Sequence, residues 1–245
     1  MTVIALSLKM YFPRERTIKY CEDLAKLVSE RNLSKRKLTM AFLPDFLTLP
    51  DAARLLLPEG IRVGSQDICD EDRGAYTGEV SPADVAALGG SVAEIGHIER
   101  RRLYHEDDEL ISKKVAAAWR NNLTPLLCVG EDKVMEPEEA AAYCIKEIHS
   151  VVGKEQGYPL WIAYEPRWAI GAEHPAPTSY VKTVCEYLKQ AISGYRDANV
   201  LYGGSAGPGL LTEIWPSVDG LFLGRFAHDP KAFISVVEEA VNLVD

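Results

Sequence analysis

Glu165 follows the apolar run Leu160–Tyr164 directly and precedes Pro166, within the segment AYEPRWAIG (163–171). A carboxylate leaving the end of a buried strand, with Pro166 fixing the chain direction, is suited to work as a general base. Trp168 and Ile170 add large apolar groups to the same loop, where they can exclude water and raise the affinity of Glu165 for a proton. His97, in GHIERR (96–101), ends another apolar run and would face the same mouth as Glu165. Lys9, two residues beyond Ser7, is placed to supply the local cation that an anionic ligand would need in a chain of net charge −9. Each residue also has a plainer reading: a solvated loop glutamate, a structural histidine, an exposed lysine. The glycines of YGGS (Gly203 and Gly204, before Ser205), with Gly171 and Gly224, read either as tight turns or as a cradle of backbone N–H groups for a phosphate.

What would bring these residues together is a repeating unit. Eight short apolar or β-branched runs occur: Val3–Leu8, Leu38–Phe42, Ile61–Gln66, Val92–Ile95, Thr124–Val129, Leu160–Tyr164, Val200–Tyr202 and Gly220–Leu223. Between them lie stretches of helical period, among them Ile111, Val115, Ala118 and Trp119. Others are Val181, Val184, Leu188, Ala191 and Tyr195, and finally Phe233, Val236, Val237, Ala240, Val241 and Val244. Eight strand–helix pairs in 245 residues predict an α/β fold, a single (β/α)8 barrel domain spanning 1–245. A dinucleotide-binding sheet is excluded, because no glycine follows the first strand in LSLKMYFPRE. In a barrel the active site lies at the C-terminal ends of the strands, where Ser7, Lys9, His97, Glu131, Glu165, the YGGS turn, Gly224 and Arg225 all stand. Two long loops, 66–80 and 165–177, are expected to be functional.

Composition limits the partners. With 36 acidic against 27 basic residues, neither nucleic acid nor an anionic membrane is expected as a main partner. The five cysteines, Cys21, Cys69, Cys128, Cys144 and Cys185, are scattered and without metal spacing, and read as reduced thiols in a cytoplasmic protein. The apolar start Val3–Leu8 is too short for a signal peptide, so export is not expected.

Taken together, GSQD (64–67), GAYTGEVS (74–81), GHIERR, CVGE (128–131), AYEPRWAIG and YGGS resemble the triosephosphate isomerase family, in order and spacing over the whole chain. The resemblance implies Glu165 as the base, His97 as the electrophile and Lys9 as the cationic stabiliser. It further implies a hydrogen bond between Glu131 and Trp168 in the open loop, phosphate binding by Gly171, Ser205 and Gly224, and no metal or organic cofactor. It also implies a homodimer in which loop 66–80, tipped by Thr77, inserts near Lys9 of a second subunit.

Four departures surround that chemistry. Ser7 replaces the family's asparagine, Ile98 replaces the serine of GHSERR, Arg225 replaces the second glycine of a Gly-Gly pair, and the loop reads IGAEHPAP in place of IGTGKTAT. Glu99 follows Ile98 as in the family. Ser7 would make room for a longer substrate, or leave a gap for water. Ile98 removes a hydroxyl that would hold the Glu165 carboxylate at rest, so that Glu165 is expected to swing inward. Arg225 either adds a bidentate phosphate contact or points to solvent. These changes resemble the branch that interconverts L-erythrulose 1-phosphate and D-erythrulose 4-phosphate. The alternatives are the glycolytic triose reaction with tolerant substitutions and a non-catalytic phosphate-binding paralogue.

Overall fold

A computed structural model describes residues 2–153, 157–170 and 175–244. Eight parallel strands, Thr2–Ser7 (β1), Leu38–Leu43 (β2), Arg62–Ser65 (β3), Val92–Ile95 (β4), Thr124–Val129 (β5), Pro159–Tyr164 (β6), Arg196–Tyr202 (β7) and Gly220–Leu223 (β8), close into a barrel in sequence order. Closure is made by β1, which pairs with β2 on one side and with β8 on the other. Around them lie the helices Arg14–Glu30 (α1), Leu49–Leu56 (α2), Pro82–Ala87 (α3), Ile98–Tyr104 (α4), Asp108–Arg120 (α5), Pro137–Val152 (α6), Thr178–Ala191 (α7), Leu210–Ile214 (α8) and Pro230–Val244 (α9).

The apolar runs are continuous because both faces of each strand are buried. Residues of one parity, such as Val3, Ala5, Val92, Leu126, Cys128, Trp161, Ala163 and Phe222, fill the barrel. Those of the other parity, such as Ile4, Leu6, Ile95, Leu127, Ile162 and Leu223, pack against the helices. Local chemistry starts several helices: Ser81 accepts from the Asp84 N–H ahead of α3, and Asp107 from the Leu110 N–H ahead of α5.

Strand boundaries depart from the expected ones mainly at β7, which begins at Arg196 and not Val200. Its first residues are polar and exposed, and a register shift against β6 separates them from the apolar part. Of the predicted helical stripe at 181–195, Val181, Val184 and Leu188 are buried in α7, whereas Tyr195 lies past the helix end. The units also contain helices too short to show an apolar period, including α3 and α8. Among the described residues, no helix is long and apolar enough to cross a membrane.

Candidate active site

The strand ends surround a cavity of about 460 Å³, lined among others by Ser7, Lys9, His97, Glu99, Glu165, Ile170, the Gly203–Ala206 turn and the Leu223–Phe226 turn. Glu165 continues the inward parity of Trp161 and Ala163. Its backbone is held on both sides: its own N–H donates to the Val129 carbonyl, and the Gly203 N–H donates to the Tyr164 carbonyl. A carboxylate mounted on strand ends in this way is fixed more tightly than one carried by a free loop. Two glycines make room for it. A Cβ on Gly130 would lie 1.8 Å from the Glu165 carbonyl oxygen, and one on Gly203 would lie 2.6 Å from Glu165 Cγ. Gly203 therefore serves the carboxylate by its missing side chain. Its N–H, which a phosphate cradle at YGGS would call on, is already used in the strand ladder.

The Glu165 carboxylate rests inward, with Oε2 3.5 Å from His97 Nε2. Burial pushes its carboxyl up to about 7, the charge of Lys9 offsetting only part of the effect. His97 is itself the N-cap of α4: its Nδ1 accepts the Glu99 backbone N–H at 3.1 Å. An accepting Nδ1 leaves the ring proton on Nε2, directed at Glu165 and the cavity. Burial, reinforced by the positive charge of Lys9, lowers the His97 imidazole to about 4. The ring is thus neutral near pH 7, and its contact with Glu165 is an N–H facing a carboxyl group, not an ion pair.

Lys9 has the left-handed backbone angle φ +50°, which costs a non-glycine residue roughly 1 kcal/mol. The Gln66 side-chain amide holds that turn by donating to the carbonyls of Lys9 and Leu43. Lys9 Nζ donates to Glu99 Oε1 at 2.8 Å. Burial pulls the Lys9 ammonium down, but the hydrogen bond and charge of Glu99, with Glu165 and Glu94, outweigh it and leave the pKa raised.

Three of the singled-out residues, Ile98, Glu131 and Trp168, do not line the cavity. Glu131 is fully buried and accepts from Trp168 Nε1 at 2.6 Å, from the Tyr180 hydroxyl at 2.9 Å and from the Tyr164 hydroxyl at 3.2 Å. The expected Glu131–Trp168 pairing is present as one bond of a cluster that ties the segment after β6 to β5 and α7. The buried Arg167, next to Trp168, pairs with the half-buried Glu147 of α6. Gly204, Ser205, Gly224 and Arg225 lie on the rim. Arg225 opens a short 3₁₀ turn, so the replacement of glycine there demands no left-handed backbone. Gly171 lies outside the described residues. Among the described residues, no group of three or more His, Cys, Asp or Glu side chains is placed to hold a metal ion.

Sequence reasoning passed over Glu94. This carboxyl occupies an inward position of β4, is 4% exposed, and accepts from Ser7 Oγ at 2.7 Å. Burial, with Glu165 and Glu99 opposing its ionisation, pushes it up to about 8. The available signal was a lone charged residue in the four-residue run VAEI, at the parity of Val92.

A sequence model of the triosephosphate isomerase family matches residues 2–240. L-erythrulose-1-phosphate isomerase of Pectobacterium atrosepticum is 43% identical over 248 residues, covering 98% of this chain and 96% of the relative. The protein of the same name from Rhizobium etli is 33% identical, covering 99% and 93%. Triosephosphate isomerase of Xylella fastidiosa is 35% identical over 215 residues, covering 83% and 86%.

Proposed function

The chain belongs to the triosephosphate isomerase family, and from that premise we propose that it interconverts L-erythrulose 1-phosphate and D-erythrulose 4-phosphate. The observation that carries the reaction type is the facing pair of Glu165 and a neutral His97 whose Nε2–H points into the cavity. Glu165 takes the proton from C3 of L-erythrulose 1-phosphate. The C–H electron pair becomes the C2–C3 double bond of an enediolate, and the carbonyl pair moves to oxygen, where the His97 Nε2–H and the Lys9 ammonium stabilise it. The hydroxyl proton on O3 passes to O2 by way of His97, whose Nε2–H protonates O2 while Nε2 takes the proton from O3. Glu165 returns its own proton to C2, leaving the ketone at C3, which is D-erythrulose 4-phosphate when numbered from the other end. Gly204, Ser205 and Gly224, with Arg225 and Gly171, hold the phosphate, and Ile170 helps to cover the site.

The four-carbon reading is supported by Ser7 on the cavity wall and by two relatives that carry the erythrulose phosphate name. Steady-state assays on L-erythrulose 1-phosphate and on the triose phosphates test it. We expect the higher kcat/KM on the four-carbon ketose, and Ser7→Asn should move the preference toward the triose. A triose kcat/KM equal to that of glycolytic enzymes would replace this reading with ordinary triosephosphate isomerisation.

The protein works as a homodimer in the cytoplasm. Exposed apolar side chains follow successive strands on the mouth side, including Met10 (93% exposed), Leu47 (82%), Tyr76 and Tyr104, and such a band favours covering by a second copy. Loop 66–80 stands among them. Five buried free thiols suit a reducing compartment.

A further inference from the structure

Glu94 is a buried ionisable group for which the proton transfer above has no use. It projects into a barrel interior otherwise filled near it by apolar residues such as Ala5, Val92, Leu126 and Cys128. The neighbouring charges are Glu165 at the end of β6, Lys9 after β1 and Glu99 on α4, and the two carboxylates disfavour its ionisation. A valine or leucine there would avoid the cost of burying a carboxyl group. The group is nonetheless satisfied, by Ser7 at 2.7 Å, and Ser7 lines the cavity while Glu94 lies behind it. Ser7 Oγ–H donates to Glu94 Oε2, the carbonyl oxygen when the carboxyl group is neutral, and the Oγ lone pairs are left toward the cavity.

The depth of these groups matters. Phosphate held by the Gly204–Ser205 and Gly224 turns sits beyond the strand ends, whereas Ser7 is the last residue of β1. A substrate anchored at the rim by its phosphate, with its reacting carbons beside Glu165 and His97, points its far end down toward Ser7. On a triose that end carries no further carbon. On a four-carbon ketose phosphate it carries a hydroxymethyl group, whose O–H can donate to Ser7 Oγ.

We propose that Glu94 is a specificity-determining positioning residue, which fixes the rotamer of Ser7 so that its oxygen accepts the terminal hydroxyl of the four-carbon substrate. This inference rests on the four-carbon reading of the site and adds to it the group that reads the extra carbon. A hydroxyl that can rotate freely loses much of its power to discriminate, whereas one held by a buried partner retains it.

The test compares kcat/KM for L-erythrulose 1-phosphate and for dihydroxyacetone phosphate in wild type, Glu94→Val, Glu94→Gln and Ser7→Ala. In Glu94→Val and Ser7→Ala the ratio of four- to three-carbon kcat/KM should fall on the order of tenfold, the loss of about one hydrogen bond. Glu94→Gln, which still offers an acceptor to Ser7, should keep a ratio within a few-fold of wild type. If Glu94→Val does not fold, the contrast between Glu94→Gln and Ser7→Ala carries the same comparison. An unchanged ratio in Ser7→Ala or in folded Glu94→Val, or a parallel loss on both substrates, would overturn the inference. Preference of the wild type for the triose defeats instead the reading on which it stands, so the two failures are distinguishable.

Discussion

At the scale of single residues, the site depends on two protonation states set by burial. In the proposed reaction Glu165 must be ionised to act as a base, and its pKa is raised to about 7. The rate on the free enzyme should therefore rise with pH and level off above about 7, without a second inflection from His97, which is already neutral above about 4. A pH profile of kcat/KM checks this, and a plateau reached already at pH 5 would contradict the burial argument. Glu165→Gln keeps the shape of the side chain and removes the proposed base. It should lower kcat by about 10²–10⁴-fold and abolish solvent deuterium exchange into the substrate. A non-catalytic phosphate-binding protein would show no such exchange in the wild type either.

At the scale of elements, strand ends hold the reacting groups and a buried cluster holds the loop that follows β6. Glu131 gathers four donors, Tyr164 from β6, Trp168 from the loop, Tyr180 from α7 and the Cys144 thiol from α6, at a position with no exposure to solvent. Replacing it by glutamine presents an N–H₂ group where only donors are waiting, so at least one hydroxyl or indole N–H loses its acceptor. Glu131→Gln should cost about 1–3 kcal/mol, read as a lowered urea midpoint at unchanged m. Unchanged stability would mean that the cluster reorganises freely. His97 illustrates how an element and a reagent share atoms: the contact that caps α4 is also the one that fixes which ring nitrogen faces the cavity.

At the scale of the molecule, stability responds to the buried carboxyl groups and assembly to the loops around the mouth. Glu94 and Glu165 have folded-state pKa values of about 8 and about 7, above those of an unfolded chain. Between about pH 4.5 and 8 the native state therefore binds more protons than the unfolded state, and stability falls as pH rises through that window. Glu94→Gln removes one of these groups, so its stability relative to wild type should grow from pH 5 to pH 8.5, by on the order of a few kcal/mol. Denaturant titrations at the two pH values measure the slope, and parallel slopes would refute it. For assembly, Thr77→Arg places a charge at the tip of loop 66–80 and should shift the protein toward monomer in sedimentation at micromolar concentration. A wild type that sediments as a monomer would contradict the proposed dimer outright.

The chain itself determines the barrel, because eight strands buried on both faces must be written as continuous apolar runs and the residues after each run must meet at one rim. Glu165, His97 and Lys9 were legible for that reason, and Ser7 and Arg225 were legible as departures from a strongly patterned motif. Glu94 was not, since its meaning lies in the Ser7 hydroxyl on a strand 87 residues away. Nor was the double use of Gly203, whose N–H completes a ladder while its bare Cα clears the carboxylate. The spacing of residues along a strand specifies which side they face. Only the closing of β1 onto β8 sets which side chains then lie within hydrogen-bond reach, and how far the loss of water around them shifts their protons.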